Sequence, residues 1–366
     1  MAVSRLLMAS AAAAAAAAGP APLAFVPGNL LALRAGAASS PTKEKASVPA
    51  FLDEISLAAG AGRGAVRQSI DMAANKGLPG AFGAQSALEV GTSQSQGGLA
   101  RSSSGALVSF MGNDPDATPL VFALASCNAS GVCDVSGRGS AALGDNNGRS
   151  SVTEDGLSFY SCGTNGLELE ACSPGAGCVA TMIQDAVNFR ALAIAGGGLF
   201  GTSQSKGFAG LVGFGGGLPR AATPAESIFN PVNEDGSKFE PQALKVLSNT
   251  TVLIADTSAK GAGGISLFSF VAGEWALNSS FAGTGHAHWF EYDACTGTVF
   301  FIADPAGAGA GDKFSPTTIA SVPLSAAGVW GSAATVITTA QAGEQFMGLA
   351  MAPWTGGAGK CPPPPQ

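Results

Sequence analysis

A short apolar strand, a turn built from Gly, Asn, Ser or Asp, and a second apolar strand recur along this chain. The spacing is roughly 40 to 55 residues, and that recurrence limits the fold more than any other feature. Ser151-Val152-Thr153 turns at Glu154-Asp155-Gly156 into Leu157–Cys162. Ala191–Ala195 turns at three glycines into Leu199-Phe200, and Ala243–Leu247 turns at Ser248-Asn249-Thr250 into Thr251–Asp256. His288–Tyr292 turns at Asp293–Gly297 into Thr298–Asp304. Third and fourth strands follow: Gly264–Phe270 then Trp275–Leu277, and Thr317–Val322 then Ala334–Thr338.

One repeat is nearly literal. Leu88-Glu89-Val90-Gly91-Thr92-Ser93-Gln94-Ser95 is echoed by Leu199-Phe200-Gly201-Thr202-Ser203-Gln204-Ser205. Five second strands are counted, near residues 88, 157, 199, 252 and 299. A unit of four short antiparallel strands buries its faces only against neighbouring units, and radial repetition provides them. The expectation is an all-β chain, a β-propeller of about five to seven blades of four-stranded antiparallel sheets. Phe346–Pro353 reads as a first strand with no second strand after it, and Ala87–Gly91 as a second strand with no first; pairing them would close the ring and hide two edges.

Composition agrees. The 52 glycines of the 366 residues follow no G-X-Y period, and only 12% of residues are charged. That excludes collagen and a solvated disordered chain. Net charge is −7, with no basic stripe, so nucleic acid is not an expected partner. No later run of about 18 apolar residues appears, so no transmembrane segment is expected.

The leader reads as an address. Arg5 precedes the apolar run Leu6–Ala18, which Gly19 and Pro20 break, and Ala24 offers a small residue for cleavage; this is a signal-peptide pattern over 1–24. The Ala/Ser-rich stretch that follows, beginning Phe25-Val26-Pro27 and carrying Arg34, Lys43 and Lys45, resembles the transit segment of bipartite plastid leaders. The expected organisation is a signal peptide at 1–24, a transit-like segment and linker at 25–76, the propeller at 77–355, and a Pro-rich disordered tail at 356–366. The expected destination is a plastid, with secretion as the alternative.

The residues Val252–Asp256, Gly263–Phe270, Gly273–Leu277 and Phe346–Pro353 resemble a family of uncharacterised propeller-like repeat proteins with the pattern ADxx…GGLxKWxxxxGxWxL…FRGVAxAP. Asn188-Phe189-Arg190, Leu199–Ser203 and Gly217-Leu218-Pro219 resemble it too, so the likeness covers about residues 149–353. Met347 stands where that pattern has Arg. The resemblance implies the fold and carries over no catalytic set.

Candidate chemistry is sparse. His286 and His288 are the only histidines, and on a strand both point to one face. With Asp293 they form a candidate Zn or Cu site; Glu291 has the wrong parity. The alternative is a polar pair at a strand start. No G-x-S-x-G elbow or Walker A sequence is present. Asp256 and Asp304 read as turn caps before they read as calcium ligands. Of seven cysteines, Cys127 with Cys133, and two of Cys162, Cys172 and Cys178, are disulfide candidates in an oxidising compartment; Cys295 and Cys361 remain,. Asn128, Asn249 and Asn278 open glycosylation sequons,.

Three readings follow. The first is a non-catalytic binding or scaffold propeller for a protein or small molecule, with no cofactor expected. The second is a metal-assisted, lactonase-like hydrolase using His286 and His288. The third is a secreted structural or cell-surface protein.

Overall fold

Two-residue hairpins set the blade edges. Gly196 and Gly197 take φ of 56° and 77° between paired Ala195 and Gly198, the backbone that a primed turn between twisted strands requires. The computed structural model describes residues 24–36, 47–72, 89–91, 96–113, 119–125, 135–139, 143, 148–173, 177–231, 238–258, 263–282, 287–303, 316–354 and 361.

The described chain begins with β1 (Leu30–Ala35), β2 (Ser47–Ile55), β3 (Val66–Asp71) and β4 (Glu89–Gly91). Next come β5 (Ala100–Arg101), β6 (Leu107–Asn113), β7 (Pro119–Ala125) and β8 (Val135–Gly139). β9 (Gly148–Thr153), β10 (Ser158–Gly163), β11 (Gly166–Ser173) and β12 (Gly177–Asp185) form one four-stranded sheet, and β13 (Phe189–Ala195), β14 (Gly198–Ser203), β15 (Gly210–Gly213) and β16 (Glu226–Phe229) the next. β17 (Pro241–Ser248), β18 (Thr251–Asp256), β19 (Gly264–Val271) and β20 (Glu274–Phe281) form another. β21 (Ala287–Asp293), β22 (Thr298–Ala303), β23 (Thr318–Pro323) and β24 (Thr335–Thr339) follow, and β25 (Gln345–Met351) comes last.

Five sheets form the ring of an all-β propeller, within the expected range of five to seven blades. Four sheets have four strands. The fifth has nine and holds two four-strand runs, β25-β1-β2-β3 and β5-β6-β7-β8, bridged by β4. Every described pairing between named strands is antiparallel, and each four-strand run meanders from an inner to an outer strand. Inner and middle strands are buried on both faces, as in β25, while the outer β20 alternates exposed and covered residues. The core therefore lies between neighbouring sheets, with Leu253, Ile254, Phe301 and Ile319 in its largest cluster. Among the described residues no helix is long and apolar enough to cross a membrane.

Two expectations are corrected. The segment taken as transit-like segment and linker, 25–76, contributes β1, β2 and β3 to the ring. Leu30, Leu31, Ala32 and Leu33 are fully buried, and an apolar run without alternation carries no periodicity to identify it as a strand. Ring closure also uses a different partner: β25 pairs β1, with Leu30 opposite Met351 and Leu33 opposite Gly348. Glu89–Gly91 instead pairs β2 and touches β6. The near-literal repeat is thus not a structural one, because β14 is a full second strand and β4 a three-residue bridge.

Polar side chains fasten the first strands. Glu54 is fully buried and accepts from Val26 N at 2.7 Å, Asn29 Nδ2 at 2.8 Å, Arg67 at 2.8 Å and Gln68 Nε2 at 2.7 Å. Arg34 pairs Asp53 at 2.6 Å and Glu344 at 2.5 Å, joining β1, β2 and the turn before β25. Burial works against the Arg34 charge, but Asp53 and Glu344 raise its pKa above the usual arginine value,.

Candidate functional site

The inner strands β5, β9, β13, β17, β21 and β25 stand around the axis. A funnel of 460 Å³ opens where they end. Ala191, Ala193 and Ala195 of β13 and Ala243 of β17 give it a small-residue wall. Lys245 and Glu291 face each other on β17 and β21, Nζ donating to Oε1 at 2.6 Å. Glu291 is nearly fully buried and Lys245 partly exposed, so the ammonium forms the ligand-accessible half of the pair. The Arg101–Gly105 loop supplies the opposite rim, where Arg101 Nε donates to Gly105 O at 3.2 Å. Trp289 closes the floor: its ring lies 2.2 Å from where a Cβ on Gly98 would stand, so only glycine fits there.

A second polar group lies at the other end, where the inner strands begin. A β-bulge interrupts the ladder near the start of β9, β13, β17, β21 and β25. Bulges re-aim side chains. The residues at these points are Arg149, Arg190, Gln242 with Ala243, His288 with Trp289, and Met347. Arg149 donates to Asn188 Oδ1, to Phe189 O at 2.7 Å and to Thr164 Oγ1 at 3.1 Å. Burial, then repulsion from Arg190, lowers its pKa to about 10. Arg190 donates to Gln204 Oε1, and Gln204 Nε2 reaches Pro241 O at 3.3 Å. Burial lowers the pKa of Arg190 as well.

The sequence candidates are scattered. His286 lies outside the described residues. His288 sits at the start of β21 and Asp293 at its end, roughly 15 Å apart at strand rise. Asp293 spends its carboxylate on the turn, accepting from Cys295 N at 2.9 Å and Thr296 Oγ1 at 2.7 Å. His288 and Asp293 therefore cannot share one ion, and the expected metal triad is corrected. Among the described residues no group of three or more His, Cys, Asp and Glu side chains is placed to hold a metal. Asp256 caps its turn, accepting from Glu240 N at 2.8 Å, Ser258 N at 2.9 Å and Ser258 Oγ at 2.7 Å; Asp304 is outside the described residues.

Cys172 and Cys178 are disulfide-bonded across the β11–β12 hairpin. Cys295 and Cys361 form a second bridge, which ties the tail to the funnel rim. Cys162 is a buried thiol whose pKa burial pushes up to about 12, which makes it inert at neutral pH. Cys127 and Cys133 lie outside the described residues. The Lys245–Glu291 pair and the two buried arginines were missed from sequence. Each falls at a matching place in a repeated strand, a signal visible only once strands are aligned on their bulges.

No family model matches the chain, and no curated protein matches it. Solved structures do resemble it. TolB from Acinetobacter baumannii is 7% identical, with 87% of this chain and 67% of that chain covered and a TM-score of 0.48. The periplasmic gluconolactonase PpgL of Pseudomonas aeruginosa is 11% identical over 88% of this chain and 99% of that one, at a TM-score of 0.43. A Bacteroides fragilis protein, provisionally assigned as a 6-phosphogluconolactonase, is 9% identical over 88% and 97%, at 0.46. Similarity at this level says nothing about activity, and the propeller assignment rests on the strand order itself.

Proposed function

We propose that the protein is a non-catalytic binding propeller that takes a small molecule in its central funnel. The observation that carries this reading is the 460 Å³ funnel itself, with a paired ammonium and carboxylate on one wall and alanines on another. Such a mixture suits a compact ligand with both polar and apolar edges, and concave sites of this size are the usual place for one. The hydrolase reading has less support, because Asp293 is committed to a turn at the far end of the strand from His288.

Thermal-shift screening of small polar metabolites against wild type and an Ala193→Trp variant tests the reading. The tryptophan fills the funnel. A compound that raises the Tm of wild type but not of the folded variant supports the proposal, with Trp289 fluorescence as a second readout of the floor. Stabilisation that persists unchanged in the plugged variant would rule the funnel out.

We also propose that the chain works in an oxidising compartment, the secreted alternative, rather than in a plastid stroma. Two disulfides support this,. So does the exposure of Asn249 and Asn278, which leaves two sequons open to glycans.

A further inference from the structure

We propose that the narrow end of the channel, opposite the funnel, binds a small oxyanion, a carboxylate or a phosphate, between Arg149, Arg190 and Gln242. The site is independent of the funnel reading and uses none of its residues.

The argument starts from charge. Arg149 is 8% exposed. Its hydrogen-bond acceptors are an amide oxygen, a backbone carbonyl and a hydroxyl, all neutral. Arg190 likewise donates to a neutral amide oxygen, of Gln204. Among the described residues neither guanidinium is in a salt bridge. Taking a cation out of water without an anion is costly, and here two lie close enough to repel each other. Buried arginines usually meet a carboxylate or phosphate, whose two oxygens fit the guanidinium fork.

The surrounding groups do not supply the missing charge. Cys162, near both arginines, is held neutral by burial. Glu240 attracts Arg190 from a distance, but it is occupied by Lys238 at 3.0 Å on the surface.

Unused donors point to the same place. The buried Nε of Arg190 has no acceptor, and neither has the amide nitrogen of Gln242, a side chain only 2% exposed. Gln242 belongs at this site because Gln204, the partner of Arg190, reaches the carbonyl of Pro241 next to it. Buried donors without acceptors are rare in folded proteins. Two of them beside two uncompensated cations describe an anion cradle. The bonds already made also pin one inner strand to the next, but neutral acceptors perform that task without needing positive charge. Partial exposure of Arg190 leaves the mouth open to solvent.

The test is calorimetric titration of the folded protein with inorganic phosphate and, separately, with acetate, at constant ionic strength. Saturable binding is expected for at least one probe. Affinity should fall about tenfold or more in Arg190→Gln, which removes a charged hydrogen-bond donor, and should be unchanged in Lys245→Met at the funnel. Phosphate above acetate assigns a phosphate ester, and the reverse assigns a carboxylate. If Arg190→Gln fails to fold, Gln242→Met carries the same expectation. Absence of saturable binding by both probes, binding untouched by these narrow-end variants, or binding lost in Lys245→Met would overturn the proposal.

Discussion

Lys245 Nζ lies 2.6 Å from Glu291 Oε1, an ion pair that joins two inner strands across a sheet-to-sheet boundary. The two ends differ in exposure: the carboxylate is nearly enclosed and the ammonium is about a quarter exposed. Removing the lysine strands a buried carboxylate, which costs more than removing a charge that water can reach. Lys245→Met should therefore lower stability by about 1–3 kcal/mol, discounted from the fully buried case for the exposure of the lysine. Glu291→Gln should cost less, and the double variant should regain part of the loss. Urea denaturation of the four proteins as a mutant cycle checks this.

Glu170 gives the protein a pH dependence of known sign. Burial, followed by the neighbouring charge of Glu168, raises its pKa to about 8 from an ordinary 4.5. The folded state then holds a proton that the unfolded state has released. This contribution to stability is complete below the unfolded pKa and is lost as pH rises through the folded one. Stability should fall by roughly 1.4 kcal/mol per pH unit between about pH 5 and pH 8 from this group alone. Glu170→Gln should flatten that slope, as measured by unfolding midpoints from pH 5 to 9. An unchanged slope would place the titration elsewhere.

Much of the fold could be read before the structure. The hairpins at Ala191–Phe200, Ala243–Asp256 and Tyr292–Phe301 announce themselves because turn glycines and short polar loops break apolar runs at regular intervals. The first sheet could not be read this way. Leu30–Ala35 is apolar at nearly every position because both of its faces are covered, and an Ala-rich apolar run next to a leader has the same composition as a transit segment. The candidate site was less legible still. Arg149, Arg190 and Lys245 are isolated charges in apolar strands, without a motif. What brings them to the channel is the bulge and the ring, and both depend on pairing between residues far apart in sequence. His286 and His288 attracted attention through local spacing, which does not carry a third ligand to them.

The two disulfides close loops of very different size, and their loss should differ accordingly. Cys295 and Cys361 are 66 residues apart, Cys172 and Cys178 only 6. Chain-entropy arithmetic gives about 4 kcal/mol for the first and about 2 kcal/mol for the second. Cys361→Ser should thus lower the midpoint of chemical unfolding about twice as far as Cys172→Ser. It should also free the tail from the funnel rim, which protease sensitivity confined to the last residues would report.

The position of β1 makes the mature N-terminus a structural question. Residues Leu30–Ala35 pair with β25 on one side and β2 on the other. A chain starting at Gly77 lacks β1, β2 and β3, and leaves β25 with an open edge and the buried Glu344–Arg34 contact broken. An unpaired strand of seven buried residues is an aggregation site. A chain starting at Phe25 keeps all of these contacts, including the 2.7 Å bond from Val26 N to Glu54. The second should express as a soluble monodisperse protein with a cooperative melt, and the first should aggregate. By the same reasoning, intact-mass analysis of the protein isolated from its source should find a start close to Phe25. A start near residue 77 on a folded, active protein would mean that the ring closes without its first sheet, and the β1–β25 pairing would have to be dispensable.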